Sequence, residues 1–225
     1  MDAQDLYTRN VSPITISTNK VLRNTYLLLS LTLLFSAITA YIALVENASN
    51  VNILLFLLVI FAFPWVLMRV KDSPLGLVLT FAYTGFMGWS IGPMLNYYLT
   101  SYSNGSQLIA LSLGGTGLIF LCLTLISLNP NRDYTGWARP LFVGMMMVIV
   151  LSLLNVFFLK MPVLQLALAV VIMLISGGLI LYQTNMIIRG GERNYIVATV
   201  VLYISIINLF LSLLQLLGFF GGNRN

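Results

Sequence analysis

The stretch that decides the fold runs from residue 195 to residue 220 and reads YIVATVVLYISIINLFLSLLQLLGFF. It carries no charge and no proline, and it exceeds the about 20 apolar residues that a helix needs to cross a bilayer. Its second half places polar residues at spacings of three, four and three, namely Ser205, Asn208, Ser212 and Gln215. Such spacings put side chains on one helix face. Because a polar face is unfavourable against lipid, we expect it to point into a bundle of other helices.

Six further apolar stretches precede this one, at residues 24–45, 51–68, 75–99, 107–128, 140–159 and 163–188. Only 8% of the 225 residues are charged, against about 25% in a typical soluble domain. We therefore predict an all-α membrane protein with a seven-helix transmembrane domain at residues 24–220. Residues 1–23 are predicted to form a flexible tail, and residues 221–225 a short tail at the other end.

The basic residues predict the orientation of the helices. With seven spans, two of the eleven Lys and Arg residues, Lys160 and Arg224, fall on one side of the membrane. The other nine share the side of the N-terminus: Arg9, Lys20, Arg23, Arg69, Lys71, Arg132, Arg139, Arg189 and Arg193. Since cytoplasmic loops are enriched in Lys and Arg, we expect the N-terminus in the cytoplasm and the C-terminus outside.

The composition argues against several classes of function. The chain has no histidine and one cysteine, Cys122, so a His-based triad and a His/Cys zinc site are excluded. The thinly spread positive charge does not suggest nucleic acid as a partner. The spans hold no Asp, Glu or Lys, although pumps and antiporters usually place ionisable groups in the membrane. We expect no catalytic residue, no metal and no cofactor, and the lipid bilayer as the first partner.

Polar and small residues on other spans predict how the helices pack. Ser176 and Gln183 lie seven residues apart, on one face of the sixth span, which a short loop joins to the seventh. We interpret the polar residues of these two spans as interhelical hydrogen-bonding groups, with a polar pathway or gate as the alternative. In the third span, Gly88 and Gly92 form a GxxxG step that permits close helix contact.

The loop between the last two spans has a simple structural interpretation. Gly190 or Gly191 ends the sixth helix, and Glu192 stands near the start of the seventh, where a negative charge suits the helix dipole.

Several segments together resemble one known family. They are Lys20–Tyr26, Thr84–Gly88, Gly92-Pro93, Leu113–Thr116, Gly190–Thr199, Leu202-Tyr203 and Asn208–Leu214. They look like the Bax inhibitor-1 family, most of all its bacterial YccA branch, over about Lys20 to Gly218. The most specific part is the motif loop, with Gly190, Gly191, Glu192, Asn194 and Tyr195.

The resemblance implies a bundle in which the last helix lies near the centre, surrounded by the other six. It also implies a bacterial inner-membrane location, which makes the C-terminal tail periplasmic. The YccA branch is described as a modulator of the membrane protease FtsH, so the implied function is binding and regulation of FtsH. A cytoplasmic tail, Met1 to about Lys20, would be the handle that such a protease engages.

A second activity proposed in the family is a pH-sensitive calcium leak, gated by two aspartates that share a proton. Gln183, within Leu181–Thr184, and Ser205, which follows Leu202-Tyr203, stand at the matching positions. Neither side chain titrates near neutral pH, so a carboxylate dyad cannot operate here. The alternative of a calcium or cation channel is therefore disfavoured. We expect a Gln183–Ser205 hydrogen bond that holds the last two helices in one state.

Overall fold

The described residues of the protein form a bundle of seven long helices. The structure, a computed structural model, describes residues 13–129 and 132–223, with side chains from residue 20 onward. The helices are α1 (Pro13–Val45), α2 (Ile53–Val70), α3 (Pro74–Ser101), α4 (Gly105–Ser127), α5 (Ala138–Leu154), α6 (Pro162–Ile188) and α7 (Tyr195–Gly221). A 3₁₀ turn precedes α5 and a π-helical turn follows it. All seven are long and apolar enough to cross a membrane, the fifth counted with its two turns.

The seven predicted spans are confirmed, but the first boundary was wrong. The α1 helix begins at Pro13, so residues 13–23 of the predicted flexible tail are helical. A proline in the first helical turn is favourable because its missing N–H would have had no partner there. No glycine or further proline interrupts the polar segment that follows. Polarity thus marks the edge of the apolar span and not the end of the helix, while residues 1–12 lie outside the described part of the chain.

The last helix lies at the centre, as the resemblance implies. Two thirds (67%) of the most apolar 18 residues of α7 are buried, against at most half of the corresponding residues in any other helix. The α7 helix packs on α1, α3, α4 and α6, whereas α2 packs mainly on α3 and α5 mainly on α6. The expectation that all six helices surround α7 is therefore wrong. Four of them form the inner ring, and α2 and α5 lie outside it.

Small residues bring α1 and α3 into close contact. A Cβ atom added to Gly88 would lie 2.1 Å from the Ser36 carbonyl oxygen, and one added to Gly92 would lie 2.5 Å from the Ala43 Cβ. No side chain fits into such gaps, so the backbones approach as a GxxxG step predicts.

The end of α7 is fastened to the α3–α4 loop. The Asn104 Nδ2 donates to the Gly221 carbonyl oxygen at 2.7 Å, and its Oδ1 accepts from the Asn223 N–H at 3.0 Å. The Ser103 N–H donates to the Asn223 carbonyl oxygen at 2.9 Å. The first three residues of the predicted C-terminal tail therefore belong to the fold.

Candidate functional site: the α6–α7 seam and its connecting loop

The two positions that match the family's aspartate pair lie in the interior. Gln183 of α6 is 4% exposed and Ser205 of α7 is fully buried. They lie on α6 and α7, which pack on each other along the seam, by which we mean the packed interface between these two helices. Burial of the two positions follows from the central place of α7, because whatever packs on that helix is shielded from lipid.

The expected hydrogen bond between these two side chains is absent. The Gln183 Nε2 has no hydrogen-bond partner, and the Ser205 hydroxyl donates to the Val201 carbonyl oxygen of its own helix at 2.8 Å. A serine in a helix can satisfy its hydroxyl on the carbonyl four residues earlier. Ser205 does so, and the Gln183 Nε2 is left without a partner.

A second polar atom of α6 shares this condition. The Ser176 hydroxyl is fully buried and has no hydrogen-bond partner. Ser176 and Gln183 are two helical turns apart, so the same face of α6 carries both unpartnered groups. A buried polar atom without a partner costs about 1–3 kcal/mol, which makes this face of α6 the least satisfied surface of the seam.

The polar residues of α7 differ in how deeply they are buried. Ser212 is 3% exposed, while Asn208 and Gln215 are half-buried. Gln215 lines a cavity of about 400 Å³ together with Asn155 and Lys160 of the turn between α5 and α6 and with Gln165 of α6. The polar face thus begins buried at Ser205 and opens beside the α5–α6 turn.

Sequence reasoning missed Tyr203, which makes the most central polar contact. Its fully buried hydroxyl lies 2.7 Å from the Ser36 Oγ of α1 and donates to the Thr84 carbonyl oxygen of α3 at 3.2 Å. These bonds tie three helices at one point. The Leu202-Tyr203 pair stands out in the sequence as part of a motif, but nothing in its spacing shows which helices the hydroxyl reaches.

The motif loop ends α6 through a glycine, as the sequence predicts. Gly190 has a φ of 71°, which a residue without Cβ adopts at no steric cost. The Gly191 and Glu192 N–H groups both donate to the Met186 carbonyl oxygen, at 2.9 and 3.1 Å. This pattern satisfies a carbonyl that would otherwise be left unpaired at the helix end.

Asn194 connects the motif loop to two other parts of the molecule. Its Oδ1 caps α7 by accepting from the Ile196 and Val197 N–H groups. Its Nδ2 donates to the Lys71 carbonyl oxygen at 3.0 Å and to the Asp72 carboxylate at 2.8 Å in the α2–α3 loop. The neighbouring Glu192 carboxylate accepts from the Asn194 N–H at 2.8 Å. Tyr195 is the first residue of α7.

A second set of bonds between a loop and a helix end, on the same side of the bundle as those of Asn194, was not predicted. We call it the α4–α5 latch. The buried Asn185 side chain accepts from the Tyr134 N–H at 3.2 Å and donates to the Arg132 carbonyl oxygen at 3.1 Å. Arg189 donates to the same carbonyl at 2.9 Å and pairs with Asp133 at 3.4 Å. The α4–α5 loop is thereby attached to the end of α6. The signal in the sequence was Asn185, a polar residue only two positions from Gln183.

The ion pair of this latch persists at neutral pH. Hydrogen bonds from Thr135, and then the Arg189 guanidinium, hold the pKa of the Asp133 carboxyl below its usual value. A carboxyl with a lowered pKa is ionised and keeps its ion pair above that pKa. The ion pair is lost as the pH falls through the pKa. The latch is therefore insensitive to pH changes near neutrality.

The seam offers neutral hydroxyl and amide groups and no carboxylate. Within residues 13–129 and 132–223, no three His, Cys, Asp or Glu side chains come together as the ligands of a metal would. The chemistry that the seam can perform is hydrogen bonding between helices, or to a polar guest.

Seven apolar helices, with the C-terminal helix at their centre, define a multi-pass membrane protein. The chain matches, over residues 18–222, the family described as inhibitor of apoptosis-promoting Bax1. The chain belongs to this family, so the resemblance seen in its motifs is confirmed.

Relatives agree with this assignment. The Escherichia coli K12 protein named modulator of FtsH protease YccA is 44% identical over 204 residues, 91% of this chain and 92% of the relative. Its counterpart in E. coli O6:H1 is named inner membrane protein YccA, at the same identity. A membrane protein of Vibrio cholerae is 42% identical over 219 residues, 93% of each chain. The family is named as an inhibitor and these relatives as membrane proteins or a modulator, and none of the names describes an enzyme.

Proposed function

We propose that this chain is a bacterial inner-membrane protein that binds the membrane protease FtsH and modulates its action on other membrane proteins. One observation carries the proposal, the 44% identity over nearly the full length to a relative named for this activity. The proposal includes a cytoplasmic N-terminus and a periplasmic C-terminus, which rest on the distribution of Lys and Arg.

The tail that precedes α1 is the proposed handle for the protease. Residues 1–12 come before the first helical residue, Pro13, and an extended chain of that length reaches about 40 Å. The bundle behind it resists extraction, since α1 is packed on α3 through close backbone contacts and bonded to Tyr203 of α7.

The direct test is a cross-linked pull-down of the tagged full-length chain from native membranes. FtsH is expected to be enriched over the amount recovered with an unrelated seven-helix protein at equal expression. In the same cells, accumulation of the chain is expected to lengthen the half-life of a membrane substrate of FtsH. Equal FtsH recovery with both baits, together with an unchanged substrate half-life, contradicts the proposal.

The handle is tested by deleting residues 2–12, which leaves α1 intact. The half-life of the chain is expected to lengthen in cells with active FtsH and to stay the same in cells without it. The matched control replaces residues 2–12 with a Gly/Ser segment of equal length, which keeps the reach of the tail and should preserve turnover. If the deleted chain is degraded as fast as the full chain, the tail is not the handle.

A second candidate, a calcium or cation leak, has one observation in its favour. The Ser176 hydroxyl and the Gln183 amide are buried on one face of α6 without partners, as polar groups along a hydrated path would be. Against it stands the chemistry of calcium, which prefers carboxylate oxygens that this seam does not supply.

Flux measurements in proteoliposomes separate the two candidates. We expect no calcium flux from the natural chain, and no loss of thermal stability in Gln183→Met, because that substitution removes an amide without a partner at nearly constant volume. The double variant Gln183→Asp with Ser205→Asp places a carboxylate pair in the seam as a positive control. Robust flux from the natural chain, abolished by Gln183→Met, would establish the leak instead.

A further inference from the structure

A crevice opens on the side of the bundle between α1 and α4. It has a volume of about 440 Å³. At one end, Tyr26 joins the two helices by packing on Phe120, with ring centroids 6.0 Å apart, and by donating to the Thr124 hydroxyl at 3.4 Å. Beyond this point α1 packs on α3 instead, through Gly88 and Gly92, and the gap to α4 is left open.

The central helix forms the floor of this crevice. Ile206, Ile207 and Phe210 of α7 lie at its base. Small residues deepen both walls, Ala37 on α1 and Gly117 on α4, and a Cβ added to Gly117 would meet no atom within 4 Å. An occupant of the crevice therefore touches the helix at the core of the bundle and not only its outer surface.

The length of the crevice matches one half of a bilayer. Its lining residues run from Leu33 to Leu44 on α1 and from Ile109 to Phe120 on α4, which is about 16 Å of helix on each wall. Half of the hydrocarbon core is about 15 Å thick. The inner end of the crevice, at Leu33 and Phe120, thus lies toward the middle of the membrane, and the open end reaches its surface where α1 ends and Tyr41 is exposed.

The volume of the crevice is small for a helix. A helix of the same length, about 10–12 Å across with its side chains, occupies about 1,200 Å³ or more, against 440 Å³ in the crevice. A single methylene chain, whose carbon atoms make contacts at about 4 Å, fits this volume.

The crevice lining offers nothing to a polar guest. The only hydroxyls among its deeper residues belong to Ser36 and Thr116, and both are satisfied within the protein, by Tyr203 and by the Ser112 carbonyl oxygen. The remaining deep surface is aliphatic or aromatic.

We propose that this crevice is a binding site for one acyl chain of a membrane phospholipid, seated against α7 from the half of the bilayer in which α1 ends. The headgroup then lies at the membrane surface beside Tyr41, whose side chain is 66% exposed. This inference concerns the bundle alone and does not depend on the proposed regulation of FtsH.

Native mass spectrometry of the full chain, reconstituted in phosphatidylethanolamine and phosphatidylglycerol vesicles and extracted in mild detergent, tests the site. The natural chain is expected to retain one phospholipid. Gly117→Leu fills the crevice and is expected to abolish the lipid-bound mass peak. Gly114→Leu is the matched control, because Gly114 is also exposed on α4, with open space around it, but does not line the crevice; it should retain the lipid.

A photo-cross-linking amino acid keeps the test independent of the folding of the glycine variants. Placed at Leu113 in the crevice wall, it should still attach to phospholipid after extraction, whereas at Leu118, exposed elsewhere on α4, it should attach only to detergent. The proposal is overturned if Gly117→Leu retains as much phospholipid as the natural chain, or if the natural chain retains none. A protein adduct at Leu113 overturns it as well, in favour of a partner chain.

Discussion

At the scale of single residues, some buried hydroxyls bond only within their own helix and others join helices. Ser112, Thr116 and Ser205 each donate to the carbonyl four residues earlier. Tyr203 instead reaches α1 and α3, because its long side chain places the hydroxyl beyond the backbone of its own helix. The central polar contact of the bundle therefore comes from a tyrosine and not from the serine at a motif position.

Removing this hydroxyl is expected to destabilise the bundle. Tyr203→Phe leaves the Ser36 hydroxyl without its partner and should cost about 1 kcal/mol, in the range measured for hydrogen bonds between membrane helices. Thermal unfolding in detergent measures the loss. Tyr41→Phe, at a position 66% exposed, is the control and should unfold with the natural chain; an equal stability of both variants would deny Tyr203 this role.

The two functions of Asn194 can be separated by substitution. Asn194→Ala loses both the cap of α7 and the bonds to the α2–α3 loop, and should cost about 1 kcal/mol or more. Asn194→Asp keeps an oxygen for the Ile196 and Val197 N–H groups but loses the two donated bonds and faces the Asp72 carboxylate. Hydrogen exchange should then show a protected start of α7 and a loosened α2–α3 loop. If that loop stays protected, the Nδ2 bonds do not hold it.

At the scale of elements, small residues decide which helices touch. On α3, Gly88 and Gly92 meet backbone or Cβ atoms of α1, whereas Gly114 and Gly117 on α4 meet nothing within 4 Å. Both helices are rich in glycine, and composition alone does not distinguish them. The difference arises from how each helix is rotated about its axis in the bundle, so that α4 turns these two glycines outward.

This difference predicts opposite results for one substitution at two glycines. Gly88→Ala places a Cβ within 2.1 Å of the Ser36 carbonyl oxygen and 2.2 Å of the Thr39 hydroxyl, so α1 and α3 must separate, at a cost of about 3 kcal/mol or more. Gly114→Ala should be neutral or slightly stabilising, since alanine is the better helix former. Thermal unfolding of the two variants in the same detergent checks this, and equal values would rule out the close contact.

At the scale of the whole molecule, the inner ring of α1, α3, α4 and α6 encloses α7, and three links hold the loops to this core. Asn194 holds the α2–α3 loop, Asn185 and Arg189 hold the α4–α5 loop, and Asn104 holds the end of α7. The first two links lie at one end of the bundle and the third at the other. Both ends of the central helix are therefore fixed.

The orientation of the bundle is predicted by its charges and is measured by labelling of single cysteines. In a Cys122→Ala background, Ser49→Cys in the α1–α2 loop should react with an impermeant maleimide in intact spheroplasts. Arg193→Cys in the motif loop should react only after the membrane is opened. Both positions are exposed, so a difference in labelling between them reflects the side of the membrane and not burial. If Arg193→Cys reacts in intact spheroplasts and Ser49→Cys reacts only after the membrane is opened, the topology is the reverse of the predicted one.

The number and position of the helices, the polar face of α7 and the glycine that ends α6 follow from the sequence. Each depends on patterns local to one segment: an apolar run, a helical spacing, or a residue that tolerates positive φ. The start of α1 was missed because a polar segment can extend a helix beyond the membrane, and apolar length does not detect it.

The partners of the buried polar groups were decided only by the tertiary structure. Gln183 and Ser205 occupy matching motif positions on neighbouring helices, yet the Ser205 hydroxyl bonds to its own helix and the Gln183 Nε2 has no partner. Periodicity states which residues share a face but not how far that face is rotated, or at what height it meets the next helix. Rotation and height depend on close packing at Gly88 and Gly92, on Tyr203, and on the loop links, which join residues far apart in the chain.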